Sequence, residues 1–282
     1  MLEKLTLPAA SDGDVWLHDT PFHFRHKHRH EELEVNLVIS GTARYLMDDR
    51  TYPLAPGSMI WLFPGQNHLL LGKSRDFRMW ILVFRPQLLR RVCRDPARRV
   101  LLARAPSGSF CQQLPPARTR ALERDFATLA PRRDDSVRFN AGLACALLDA
   151  WAAFQGSDRA VVGEDMHPAV KRAAQLLRQS PENADLSALA RQAGLSRTRL
   201  SELFRRQTGV ALVDFRNRVR LDRFAELQAT APGQTLLASA LEAGFGSYQQ
   251  FYRIHRRHHG RGPGRPSGAV TISPTKLATE PK

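Results

Sequence analysis

The residues best placed to do chemistry lie near the start of the chain, in the pattern His28-x-His30-x3-Glu34-x6-Gly41, followed by Gly57-x5-Phe63-Pro64-Gly65-x2-His68. Three neutral imidazoles and one carboxylate suit zinc, manganese, iron or nickel, with positions left over for water or a substrate. The same groups can equally line a pocket that hydrogen-bonds a small polar molecule, and both readings stand at this point. His28, His30, Glu34, Asn36 and Val38 share one parity, so on a single extended strand their side chains would emerge on one face. The run HFRHKHRHEE also holds His23 and His26, so part of the spacing can come from a locally histidine-rich segment.

A second pattern is written twice. AGLSRTRLSELFRRQTGV, Ala193 to Val210, and AGFGSYQQFYRIHRRHHG, Ala243 to Gly260, each give a small residue, a glycine, a short turn and an amphipathic helix loaded with arginine. Gly194 stands where a helix ends on a left-handed residue, and Ser196 where the next helix is capped. With Leu200, Leu203 and Phe204 turned inward, Arg197, Thr198, Arg199, Glu202 and Arg206 are left outside. In the second copy Phe251 and Ile254 turn inward, leaving Tyr248, Gln249, Gln250, Arg253 and Arg257. Arginine can bind guanine O6 and N7, glutamine adenine N6 and N7, and glutamate can accept from cytosine N4, so these are the candidate DNA contacts. Two such units joined by one long helix can enter successive major grooves about 34 Å apart.

Charge agrees. The chain of 282 residues carries a net +15, and from Pro168 onward 19 Lys and Arg stand against 8 Asp and Glu. A surplus of that kind in the last third points to a polyanionic partner, double-stranded DNA first. Arg218, Arg220 and Arg223 on the connecting helix could neutralise phosphate, pair with Asp222 and Glu226, or be solvated. Cys93, Cys111 and Cys145 form no CxxC pair, which speaks against a disulfide framework or a structural zinc cluster. The first residues contain no apolar leader segment, and no run approaches eighteen uninterrupted apolar residues, so the expectation is a soluble cytoplasmic protein with no membrane partner.

The elements that must position these groups follow from the apolar pattern. VNLVISG, TARYLMDD, RTYPLAPG, SMIWLFPG, HLLLG and FRMWILVF are short runs broken by Gly, Pro, Asp and Asn, the signature of antiparallel strands in a small barrel. Phe139, Leu143, Leu147, Trp151 and Phe154 recur every three or four positions, predicting a helix whose stripe packs on the barrel or meets its copy in a second chain. SDRAVVGEDMHP then breaks the helical pattern. The fold class expected is α+β. The expected division is a strand-rich domain over residues 1–113, which the resemblance described next makes an effector-binding domain, then a helical connecting or dimerisation region at 114–157, a linker at 158–168, an all-α DNA-binding domain at 169–262 and a disordered tail at 263–282.

The two front motifs resemble the signatures of the cupin barrel, whose metal-binding members would use His28, His30, Glu34 and His68 as ligands. Phe22, Phe63 and Gly72 depart from that pattern, standing where the motifs have a glycine, a proline and an asparagine. From Ala169 to Arg265, the phrases LSALARQAGLSRTRLSELFRRQTG, RVRLDRFAELQAT and ALEAGFGSYQQFYRIHRRHHGRGP resemble the AraC/XylS family of bacterial transcription regulators. That resemblance implies a barrel sensing a small, often sugar-like effector through His28, His30, Glu34, Asn36 and His68, a homodimer, RNA polymerase as a further partner, and no enzymatic activity. Ser239, Gly246 and His255 depart from the family, replacing an apolar residue, a Ser or Thr cap and a Phe. They predict a looser second reading head. The rival reading is a metal-dependent cupin enzyme, an oxygenase or isomerase, with an appended nucleic-acid-binding domain.

Overall fold

The computed structural model describes residues 5, 7–19, 30–47, 50–182, 185–231 and 233–264. The front half contains two antiparallel sheets packed face to face. One has the order β1 (Gly13–His18), β7 (Arg78–Phe84), β2 (Leu33–Ser40), β5 (Ser58–Leu62), β8 (Cys111–Gln113). The other has the order β6 (His68–Leu71), β3 (Ala43–Met47), β4 (Arg50–Leu54), β9 (Glu164–Asp165). Among the described residues the strands form a two-sheet, open version of the expected barrel. All six predicted runs are strands; β1, β8 and β9 are additions at the sheet edges.

The larger sheet is buried on both faces, and this explains why its strands read as apolar runs rather than as alternations. Val38, Ile60, Leu62, Ile81 and Val83 face the second sheet. Val35, Leu37, Trp61, Leu82 and Phe84 face three helices, α1 (Pro86–Val92), α2 (Pro116–Leu129) and α3 (Ser136–Gln155). The predicted stripe of α3 is spent there: Trp61 meets Trp151 edge-on at 5.4 Å, and Phe139, Leu143, Leu147 and Phe154 are buried in the same cluster. By length and composition alone α3 could cross a membrane, but its stripe is buried against the sheet. After α3 the chain runs back along the sandwich, with Gln113 N donating to Arg159 O and Arg50 pairing with Asp165 across β4 and β9.

Among the described residues six helices follow: α4 (Pro168–Gln179), α5 (Leu186–Gln192), α6 (Arg197–Thr208), α7 (Leu212–Thr230), α8 (Leu236–Glu242) and α9 (Tyr248–His259). They form two cores. In the first, Leu200, Leu203, Phe204 and Phe215 pack with Leu46, Leu69 and Leu71, which the outer face of the smaller sheet supplies. In the second, Leu221, Phe224 and Leu227 of α7 pack with Phe245, Phe251 and Ile254. The tail expected from residue 263 lies, from 265 on, outside the described residues.

Because Leu71 is fully buried in the first helical core, Leu71→Ala should remove about 2–5 kcal/mol from the stability of that core. All four tryptophans precede residue 152, so urea titrations followed in parallel by fluorescence and by far-ultraviolet dichroism check this. The helical signal should melt earlier in the variant, and the tryptophan signal should move less.

Candidate nucleic-acid interface and effector site

The two helical turns begin with the same pair of backbone bonds. In the first, Gly194 N donates to Arg191 O and Leu195 N to Ala190 O; in the second, Gly244 N donates to Leu241 O and Phe245 N to Ala240 O. Gly194 and Gly244 take φ of +74° and +94°, the left-handed region that favours glycine. Asp185 caps α5 by accepting from Ser187 N and Ala188 N, and these amides, that of Ala188 foremost, hold its carboxyl below the usual range. Ser196 caps α6 by accepting from Arg199 N at 3.3 Å, as expected.

The second turn corrects one expectation. α9 is capped by Ser247, which accepts from Gln250 N at 3.1 Å, and not by Gly246. Gly246 is one extra residue in the turn, since α6 and α9 start 51 positions apart, as do their C-caps Gly209 and Gly260, while the turn glycines are 50 apart. The acceptor thought lost is therefore present. The other two departures also find partners: Ser239, buried, accepts from Gln228 Nε2 at 2.6 Å, and His255 Nδ1 lies 3.1 Å from Arg261 O.

The helix faces fall as expected. Leu200, Leu203, Phe204, Phe251 and Ile254 are buried, while Arg197, Thr198, Arg199, Glu202, Arg206, Gln249, Arg253 and Arg257 are exposed. Arg199 and Glu202 approach to 3.9 Å, an exposed pair that DNA could open at little cost. Two candidates are partly engaged. Tyr248 is half-buried with its ring 5.7 Å from that of Phe251, and Gln250 Oε1 accepts from Gly246 N at 2.9 Å, which draws it away from a base edge. On α7, Arg218 and Arg220 are buried, so of the three arginines only Arg223 is exposed, and it pairs with Glu226 at 3.4 Å. Burial holds Arg218 down to about 10, with Asp222 and Asp214 opposing the shift.

Inside the sandwich lies a buried polar cluster. Glu34 accepts from Asn36 Nδ2 at 2.8 Å and meets His30 Nε2 at 3.0 Å; Asn36 also donates to Tyr45 Oη at 3.0 Å. The ring of His68 stands 5.2 Å from that of His30 and 6.2 Å from that of Tyr45. Burial, the largest effect, lowers the His30 pKa, but the hydrogen bond and charge of Glu34, with Glu32, outweigh it and leave the imidazole above its ordinary value. Asn36 Oδ1 has no donor among the described residues, and a buried acceptor in that state is a place for a ligand group.

The expected single strand is corrected too. His30 precedes β2 and folds back onto Glu34, while Glu34 and Asn36 lie on the strand itself. His28 and Phe22 lie outside the described residues. Tyr45, on β3, was missed by the motif reading; only its place on the same face as His68, across the β3–β6 ladder, reveals it. The departures at Phe63 and Gly72 are structural: Phe63 stacks edge-on against Phe110 at 4.5 Å, and a Cβ at Gly72 would lie 3.0 Å from Gly209 Cα. Three of the four expected metal ligands come together, since one ligand atom from each of His30, Glu34 and His68 falls within 4.8 Å of the others.

A profile described as AraC-like ligand binding domain matches residues 17–150, and one described as helix-turn-helix domain matches residues 189–265. No curated protein matches the chain. Among solved structures, ToxT from Vibrio cholerae is 12% identical over 89% of this chain and 95% of that one, with a TM-score of 0.34. The AraC-like transcriptional activator CuxR is 20% identical over 83% of each chain, with a TM-score of 0.37. The C-terminal domain of AraT, a response regulator from Geobacillus stearothermophilus, is 18% identical over 41% of this chain and 98% of that one, with a TM-score of 0.35. Superpositions that loose carry no functional detail. The chain belongs to the AraC family of transcription regulators, with a ligand-binding N-terminal domain and a helix-turn-helix DNA-binding domain.

Because Ser247 caps α9, Ser247→Ala should cost about 1 kcal/mol. Gly246→Ala should change little, because its Cβ would meet only Gln250 Oε1, at 3.5 Å. Thermal melts of the two variants check the assignment, and the reverse order would return the cap to Gly246.

Proposed function

We propose that this regulator reads a two-part operator through α6 and α9, and that a small polar effector held in the sandwich sets how the two heads sit on DNA. The observation that carries the reading is the repeated turn, which twice presents the exposed start of a basic helix. Arg197, Thr198, Arg199, Glu202 and Arg206 form the first reading surface, and Gln249, Arg253 and Arg257 the second, with Tyr248 and Gln250 serving the architecture of the turn. Since half to two-thirds of the hydrogen bonds in such interfaces go to phosphate and sugar, several of these arginines act as clamps.

Glu34, Asn36, His30 and His68, joined by Tyr45, are the groups that would hold the effector. Acceptors and donors packed this closely suit a hydroxyl-bearing molecule, and the spare Asn36 Oδ1 supports that reading. A divalent zinc, manganese, iron or nickel would be held by His30, Glu34 and His68 and would polarise an effector oxygen; His28, the remaining ligand of the expected set, lies outside the described residues. Metal content per chain and turnover of candidate substrates separate this from the cupin-enzyme reading. The functional setting we infer is the cytoplasm, with RNA polymerase as the partner that receives the output.

A homodimer belongs to the same proposal, but through a different surface from the predicted stripe. The outer side of α3 exposes Val137, Ala141, Cys145 and Ala152, small enough for a second helix to approach closely. The molar mass in solution should be that of two chains, and Ala141→Arg should return it to one.

Selection of duplexes from a random pool tests the DNA reading. The full chain should enrich a motif with two half-elements about one helical turn apart, and Arg197→Ala or Arg199→Ala should each cost about 1–3 kcal/mol and relax one position of the first element. Enrichment of no motif, with only a steep salt dependence, would mean that the arginines serve as phosphate clamps alone.

A further inference from the structure

The turns at Gly194 and Gly244 share their hydrogen bonds but not their surroundings. A Cβ added at Gly194 would meet nothing within 4 Å, whereas one added at Gly244 would lie 2.6 Å from Glu182 Cα and 2.8 Å from Pro181 O. Pro181 and Glu182 follow α4, so they belong to the first unit. The turn of the second unit is therefore seated directly on the backbone of the first. Onto the same Pro181 carbonyl, Arg220 of the connecting helix donates from Nε at 2.9 Å, with only 7% of the residue exposed. One peptide group is the meeting point of the first unit, the connecting helix and the second turn.

The geometry gives this knot a specific consequence. α7 alone joins the two units in sequence, and its two ends are buried in different cores. A single rod fixes the distance between two bodies but resists rotation about its own axis only weakly. A contact off that axis is what blocks rotation, and the Pro181 knot is one. Rotation matters because each base pair added between two half-elements turns the second through about 34–36°. A second head free to swivel would accept several spacings, and a locked one would accept few.

The chemistry suits a lock. A buried guanidinium is tolerated only where it is hydrogen-bonded, and its charge-assisted bond to a carbonyl is stronger than a neutral one. Burial first, and then Arg216, draw Arg220 down to about 10, with Glu182 opposing them. The group therefore stays charged at neutral pH.

We propose that Arg220 is a positioning residue which, with Pro181 and Gly244, sets the rotation between the two reading helices and so selects the spacing of the operator half-elements. This rests on the reading of both helices as DNA-contacting. The test uses the full chain and the selected motif with its spacer lengthened or shortened by one to three base pairs, together with a duplex carrying the first element alone. Wild type should lose about tenfold in affinity at the wrong spacer. Arg220→Met, which keeps the stem and removes the donor, should flatten the preference to within about twofold while leaving affinity for the single element unchanged. Arg220→Lys, which keeps a donor, should fall between them. Gly244→Ala should shift or abolish the preferred spacer with Arg220 intact, and Gly194→Ala, with the same backbone strain and no contact, should lower stability without altering the preference.

A wild-type spacer profile in Arg220→Met overturns the proposal. So does an equal loss on every duplex, the single element included, because that would make the residue merely structural. If wild type selects no two-element motif, the two-head reading itself fails and the positioning role falls with it.

Discussion

The burial of one helix by two cores at once is the constraint on which the DNA-binding half depends. α7 has no single apolar stripe: Leu212 and Phe215 go to the first core, and Leu221, Phe224 and Leu227 to the second. Its 19 residues span about 28 Å, so one element completes both cores along its length. The cost is that polar residues of α7 are buried with it. Asn217, Arg218, Arg220 and Gln228 are all nearly inaccessible, and such groups are stable only when they find partners. Gln228 finds Ser239 and Arg220 finds Pro181 O. Departures from an apolar pattern in the second unit are thereby absorbed by hydrogen bonds.

The ligand-binding half is joined to this machinery by β6. Leu69 and Leu71 point outward into the first helical core, while His68 and Leu70 point between the sheets, His68 into the polar cluster. The next residue, Gly72, lies against the backbone of Gly209, which ends α6. A four-residue strand thus touches both the buried polar cluster and the first helical core. In the function proposed above, a ligand bound at the cluster would act on α6 through this strand, provided it favoured one position of β6 over another. Lys73 lies on the same connection, its ammonium pushed down to about 8 by burial and by Arg218, with Asp19 opposing.

What the chain announces locally was legible without coordinates. The six strand runs, the caps at Ser196, the left-handed glycines at 194 and 244 and the α3 stripe all depend on bonds or periodicities within a few residues, and local chemistry is enough to specify them. The doubled turn could be read, and the extra residue at Gly246 shows in the glycine spacing, 15 positions from Gly194 to Gly209 against 16 from Gly244 to Gly260, but that Ser247 caps α9 is fixed by the bond it accepts from Gln250 N.

Sequence by itself determined the fold class, the order of the parts, the two basic helices and several members of the buried polar cluster, His30, Glu34, Asn36 and His68, since each is written in spacing, charge or turn residues. Tertiary structure alone decided which arginines are surface and which are pins. Arg218, Arg220 and Arg223 are chemically identical and lie within six residues, yet two are buried and one is exposed. Burial is set by what packs against a residue from elsewhere in the chain, and Pro181 is 39 positions from Arg220. The same reason hid Tyr45, which joins Glu34 and Asn36 only when two sheets close on each other.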